Sequence, residues 1–432
     1  MIDDRIGTVY RLALPLGMTP LDTQQVFERF AGHVSPYKAE TWKRYGMDFV
    51  MGRRDGVYVW NLEGTKRLLN CHVNGGVFNL GHRHPTVLAA LRAAAESLDI
   101  GNHHFVSAQR AALAERLAAI TPGDIHYTVF GVSGGEAIDC AIKVARGYTR
   151  RPKIVSARGG YHGHTGFALA AGDAHYREPF GPMPGGFVQV PFNDVDALAA
   201  AVDGETAAVL FETVPATLGM PIPAPVFYAR VREVCDRTGA LLILDEVQTG
   251  LGRTGKIWGI QWFDVVPDIL VTGKGLSGGL YPITATCLRP PLMDVFRDDP
   301  FLHISTFGGA EIGCAVALAT IEVISAPGFL ERVRQLAAWY ATELERLRQV
   351  HANVLAEVRQ LGLFIGLRYT HPEGGPLMTR LCYEAGLFAL YANNDHAVQQ
   401  FLPPLVINDA EAQETVRVLD DCLGRLEALT AA

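Results

Sequence analysis

The sequence predicts an α/β protein: a mainly parallel central sheet with helices on both faces, plus a smaller α+β domain built from both termini. Two observations predict it. From Tyr127 to Val323, short apolar runs alternate with stretches of helical period, the pattern of strands joined by crossover helices. The ends of the chain break that alternation. This divides the protein into residues 1–75 (N-terminal part of the small domain), 76–325 (large domain) and 326–432 (C-terminal part of the small domain). With 432 residues, 49% of them hydrophobic and 19% charged, the chain can fill such an interior.

Strands are expected at 127–132, 153–156, 207–211, 241–244, 269–272 and 283–288, each a short aliphatic run bounded by glycine, proline or charge. Helices are expected at 136–149, 224–238 and 310–324, where apolar residues recur every three or four positions. Beyond Pro327-Gly328 come a long charged helix (330–350), a strand-like stretch (354–367) and a last helix from Asp409. In parallel sheets of this kind ligands bind at the carboxyl ends of strands, so those ends carry the functional argument.

Composition narrows the function. The net charge of −7 is spread without blocks of like sign, which argues against nucleic acid and anionic membrane surfaces as partners. No uninterrupted apolar run reaches the ~18 residues of a membrane span. The start, Met1-Ile2-Asp3-Asp4-Arg5, has no basic residue leading into an apolar stretch, so no secretory leader is expected. Seven scattered cysteines with no CxxC pair suit reduced thiols in the cytoplasm.

Three strand ends hold residues whose chemistry needs explaining. The run Leu241–Leu244 enters Asp245-Glu246-Val247-Gln248, and a carboxylate at the end of a buried strand is costly unless a cation or donor faces it. A helix cap or a plain salt bridge would also account for a lone aspartate. The next strand ends in Gly273-Lys274-Gly275, a lysine between residues small enough to admit a flat ligand. Partial burial favours its neutral, nucleophilic form. Ser133-Gly134-Gly135-Glu136-Ala137 leaves a strand and opens a helix, so its free N–H groups and the helix dipole suit an anion. A lysine, a carboxylate and an anion site are the three anchors that a phosphorylated pyridine aldehyde requires.

With these residues in view, the chain resembles the class III aminotransferases, pyridoxal-phosphate enzymes of fold type I. Gly81-His82-Arg83-His84-Pro85 is similar to the family's GHxHP element, and Ser133–Ala137 to its SGxEA phosphate loop. The run 244–250 with Arg253-Thr254-Gly255 resembles DEVQTGFGRTG, and Lys274, Ser305–Gly309 and Phe401–Leu405 follow in the family's order. The resemblance implies pyridoxal 5′-phosphate as cofactor, with Lys274 as Schiff-base lysine and proton shuttle, and Asp245 paired to the pyridinium. It further implies Val247 and Tyr161 on the two ring faces, Gln248 on the ring hydroxyl, and Gly134 and Gly135 on the phosphate. Thr306 would reach the phosphate of a partner subunit in a homodimer with shared sites. The implied reaction moves an amino group between an amine or amino acid and an aldehyde or oxo acid; a racemase, epimerase or decarboxylase on the same fold is the alternative, and a non-enzymatic binder a third reading.

One departure bears on the substrate. Relatives that handle α-amino acids carry a glutamate in an EPxQGEGG run, paired with an arginine before FLPPL. Here those positions are Thr217 and Gln400, and both halves of the ion pair are absent together. Losing one alone would bury an uncompensated charge. The expectation is a donor other than glutamate, with Glu212, Thr217 and Gln400 as candidate substrate residues.

Two rival sites are weaker. Gly250–Lys256 matches both GxGxxG and GxxxxGK, but Ile257 stands where a P-loop needs Ser or Thr, and the match lies mid-chain after Asp245-Glu246. His103, His104, His162 and His164 lack a carboxylate or thiol at ligand spacing, so no metal is expected.

Overall fold

The structure, a computed structural model, describes residues 21–100 and 104–431. The chain's first residues and His103, considered above, lie outside the described residues. Strands β1 (Met51–Asp55), β2 (Tyr58–Asn61) and β3 (Arg67–Asn70) form an antiparallel ribbon. The central sheet comprises β4 (Tyr127–Gly131), β5 (Lys153–Ala157), β6 (Phe187–Val190), β7 (Thr206–Glu212), β8 (Leu241–Asp245), β9 (Ile269–Thr272) and β10 (Thr284–Leu288), in the order β4-β10-β9-β8-β7-β5-β6. Only β10 runs against its neighbours. The reason is its connection from β9: residues 273–283 hold one 3-10 turn, too little chain for the crossover that a parallel partner needs.

All six expected strands appear, each within a residue of its expected ends. The unexpected one is β6, a four-residue strand at the sheet edge after a stretch rich in glycine and proline.

Strand alternation decides which face receives the polar ends. Val209, Phe211, Leu242 and Leu244 point into the core on one face. Ala208, Leu210 and Ile243 point into the core on the other, together with Ala137, Ile138, Ala141 and Ala145 of the helix Gly134–Thr149. Continuing that period-two pattern by one residue puts Glu212 and Asp245 on the face covered by this helix. The two are direct neighbours in register.

Strands β11 (Leu355–Leu361), β12 (Phe364–Tyr369), β13 (Leu387–Phe388), β14 (Leu390–Ala392) and β15 (Asp395–Phe401) complete the molecule. The single strand-like stretch expected at 354–367 is a hairpin, because Gly362 takes φ +64° and turns the chain back. A third sheet runs β11-β12-β15-β14, while β13 joins β3 in parallel. Val57, Leu69 and Cys71 near the N-terminus share one core with Tyr340, Leu344, Ile365 and Leu419 of the C-terminal segment.

Arg253 ties the two regions together. Its buried guanidinium donates to Asn79 Oδ1 (2.5 and 3.2 Å), Leu363 O (3.1 Å) and Pro403 O (2.6 Å), while its own carbonyl accepts from Leu363 N–H (3.0 Å). Burial pushes its pKa down to about 9. The glycine-rich match at 250–256 therefore wraps a structural arginine; it forms turns and opens no helix, so the helix N-terminus that a nucleotide site needs is not there. Among the described residues no single helix is long and apolar enough to cross a membrane. One bent pair, Glu311–Ser325 with Phe329–Val350 at 64°, passes on length and composition alone.

Candidate active site

The ends of β4, β5, β7, β8 and β9 surround one cavity of about 340 Å³. It lies where the strand order changes direction, beside the β5–β7 pair, as expected for an open α/β sheet.

Lys274 enters this cavity from the turn after β9 and Asp245 from the end of β8. The lysine opens a 3-10 turn with φ +36°, a strained value for a residue with a side chain, costing about 1–3 kcal/mol. Burial lowers its pKa, and the nearby carboxylates of Asp245 and Glu212 oppose that only in part. An amine held toward neutrality is the form that attacks a carbonyl. Its Nζ donates to Gln248 Oε1 at 3.4 Å.

Asp245 is held by two donors. Oδ1 accepts the Val247 N–H at 3.1 Å, and Oδ2 faces His162 Nδ1 at 2.9 Å with both side chains buried. The carboxylate can only accept, so the proton on Nδ1 is assigned from this contact. His162 Nε2 is buried without a protein partner. Asp245 is thus fixed in orientation, each of its carboxyl oxygens accepting from a donor.

Glu212 lines the same cavity. It accepts the N–H groups of Tyr161 (3.0 Å) and Ala216 (3.2 Å). Burial nevertheless raises its pKa to about 7.

The anion site is a cradle that side chains would obstruct. Ser133 caps the helix Gly134–Thr149, its Oγ accepting Glu136 N–H at 3.2 Å. A Cβ on Gly135 would come within 2.6 Å of Thr165 Oγ1, and one on Gly134 would extend to 3.6 Å from Val247 Cγ1, into the space beside a cavity-lining residue. Val247 and Tyr161 both line the cavity and supply walls for a flat ring. Tyr161 is braced edge-on by His164 (5.3 Å) and Tyr176 (5.8 Å). Amine, carboxylate, ring walls and anion cradle in one cavity fit a phosphorylated pyridine aldehyde.

Comparison with known proteins agrees with this chemistry. Residues 41–423 match the family described as Aminotransferase class-III. The chain belongs to the class III aminotransferases. An uncharacterized aminotransferase of Archaeoglobus fulgidus is 58% identical over 90% of this chain and 91% of its own. The acetylornithine aminotransferase of Caldanaerobacter subterraneus subsp. tengcongensis is 36% identical over 90% of this chain and 98% of its own. The ornithine aminotransferase of Toxoplasma gondii, crystallised with partial occupancy of pyridoxal phosphate, superposes with a TM-score of 0.87 at 27% identity, covering 98% of this chain and 99% of that one. This aminotransferase uses pyridoxal phosphate and moves an amino group between an amine or amino acid and an oxo compound. When bound, the cofactor supplies an electron sink for the carbon that loses a proton.

The structure brings Gly134, Gly135, Tyr161, Glu212, Asp245, Val247, Gln248 and Lys274 into one cavity. Gln400, on β15, joins them indirectly, its Oε1 accepting from Gln248 Nε2 at 3.3 Å. Two candidates lie elsewhere. Thr217 turns its hydroxyl to Gly159 O (3.3 Å) and Asn394 Nδ2 (3.4 Å) and does not line the cavity, and Thr306 is exposed on the loop after β10. Thr217 is bonded to Asn394, a neighbour the motifs do not mention. His162 is the functional partner that motif reading missed. A buried strand-end carboxylate needs donors, and the histidine beside Tyr161 was the one at hand.

Proposed function

We propose that this aminotransferase takes its amino group from a terminal primary amine, one whose carbon carries no carboxylate, rather than from glutamate. The supporting observation is the cavity wall itself: among the described residues no arginine lines it, and Gln400 stands beside Gln248 where a guanidinium would receive an α-carboxylate. Acetylornithine, for which one relative is named, has only its terminal amine free.

In this reading Lys274 is the covalent anchor of the cofactor as a Schiff base and then the base that moves the proton. Asp245 pairs with the ring nitrogen, Gly134 and Gly135 hold the phosphate through backbone N–H groups, Gln248 bonds the ring hydroxyl, and Val247 and Tyr161 clasp the ring. Glu212 tunes the charge around Lys274. The enzyme works as a homodimer. Phe105 and Val106 on one segment and Phe301, Leu302, Ile304 and Phe307 on another are exposed, and Arg110 bonds both segments, through Phe105 O and Gly309 O. An apolar surface of this kind suits a second copy, which would receive Thr306. Residues 1–75 and 326–432 form the small domain around the large domain 76–325, and the seven cysteines, all buried and free, suit the cytoplasm.

The test is a single half-reaction without acceptor. Putrescine, acetylornithine and glutamate are each mixed with the holoenzyme, and conversion of bound cofactor to its amine form is followed by absorbance. Rapid conversion by the first two and slow conversion by glutamate is expected. Equally fast conversion by glutamate would refute the donor assignment, and repeated turnover without acceptor would refute transfer as the main reaction.

A further inference from the structure

The turn Val73–Gly76 is the most strained backbone near the site. Four consecutive residues have positive φ: Val73 (45°), Asn74 (50°), Gly75 (64°) and Gly76 (107°). For a β-branched residue such as Val73 this is a true outlier. The surroundings impose it. Asn70 Oδ1 accepts the N–H groups of His72 (3.2 Å) and Val73 (2.9 Å), and Asn70 Nδ2 is in turn bonded to His82 Nε2 (3.1 Å). The Val73 side chain is locked among Val214, Ala216, Met220, Phe364 and Leu402.

This strain presses glycine backbone onto the lysine. A Cβ on Gly75 would stand 3.1 Å from Lys274 Cε and 3.4 Å from Gln248 Oε1. The first distance is tighter than ordinary contact and the second lies at its limit, so a side chain here would bear on the lysine stem and touch the glutamine that accepts from its amine. On its other side the lysine faces the cavity in which the ring would sit, and its own backbone is strained.

We propose that Gly75 is a positioning residue whose missing side chain gives Lys274 room to move. The inference rests on the reading of Lys274 as anchor and proton carrier, which requires two places for one amine: on the cofactor, and withdrawn from it with a proton to deliver. The Val73–Gly76 turn forms the near wall of that travel, and the glycine sets its clearance.

The experiment compares wild type, Gly75→Ala and Gly64→Ala. Gly64 also has positive φ (72°) but nothing within 4 Å, so its alanine variant measures the backbone penalty alone. Each protein is loaded with pyridoxal phosphate, reduced with borohydride and mapped by mass spectrometry, and its thermal unfolding is recorded. Single-turnover rates are then measured with putrescine and with putrescine deuterated at the reacting carbon. Gly75→Ala should keep the label on Lys274 and melt near Gly64→Ala. Its turnover should slow on the order of a hundredfold, the size expected when a catalytic group is displaced by about 1 Å, with a larger deuterium effect.

Wild-type-like turnover, or slow turnover with an unchanged deuterium effect, would overturn the proposal while leaving Lys274 as anchor. Absence of label from Lys274 in the wild type would instead sink the underlying reading. Should the alanine variant not fold, Gly75→Asn repeats the test with a residue that accepts this φ. Failure of both to fold, while Gly64→Ala folds, would also overturn it, by giving Gly75 a purely structural role.

Discussion

Replacing Glu212 by glutamine should remove a pH dependence of stability whose size follows from the structure. The carboxyl accepts two backbone N–H groups, yet burial still raises its pKa from 4.5 to about 7. At ~1.36 kcal/mol per tenfold change in proton affinity, that rise amounts to about 3 kcal/mol. The folded protein binds this proton more tightly than the unfolded chain, so the contribution is full below pH 4.5 and is lost as pH rises through 7. His72 and His82 act oppositely. Burial lowers each from 6.5 to about 4, so each adds stability as pH climbs across that window. The wild-type curve mixes these slopes, and only its difference from Glu212→Gln isolates the carboxyl. The glutamine loses one of the two hydrogen bonds at every pH, about 1 kcal/mol. Urea midpoints of the cofactor-free proteins, measured below pH 4.5 and above pH 7, should show the variant gaining about 3 kcal/mol on the wild type between the two. A difference that does not change with pH would show that Glu212 is ionised throughout and that its burial is compensated.

Other residues give equally direct tests. His162→Phe keeps the ring volume but removes the 2.9 Å bond to Asp245; cofactor affinity should fall by roughly tenfold, the worth of one charge-assisted bond, and equilibrium dialysis showing unchanged affinity would contradict the assigned role. Arg253→Met strands the acceptors on Asn79, Leu363 and Pro403. It should cost on the order of 3 kcal/mol or more in chemical denaturation, and a loss below about 1 kcal/mol would show the lobes are held by other contacts. Gln400→Arg places a guanidinium beside Gln248; the KM for glutamate should drop roughly tenfold or more, with little change for putrescine, and an unmoved KM would mean that Gln400 is not the carboxylate position.

The sheet was legible because its central strands are buried on both faces, which leaves aliphatic runs with little ambiguity; all seven residues of β7 are buried. Lys274, Asp245 and the Gly134-Gly135 turn were legible for a related reason. Each breaks an apolar or regular pattern at a strand end, where only a ligand or partner explains it. What escaped the sequence depends on contacts between distant segments. The hairpin β11–β12 read as one strand because its turn is marked only by Gly362, with apolar Leu361 and Leu363 on either side and no Asn, Asp or Pro. Arg253 read as part of a glycine motif, although its partners lie at 79, 363 and 403. The contact of Thr217 with Asn394 has no mark in the motifs, because it joins segments far apart in the chain. The strain at Val73–Gly76 has no signature beyond two glycines, since it arises from Asn70 and from packing against the C-terminal segment.

The central claim is that the amine of Lys274, its pKa lowered by burial and set opposite an anchored Asp245, holds the cofactor covalently. Protein reconstituted with pyridoxal phosphate, reduced by borohydride and digested, should yield one modified peptide with the added mass on Lys274. Label on another lysine, or none on a protein that still transfers amino groups, would contradict it.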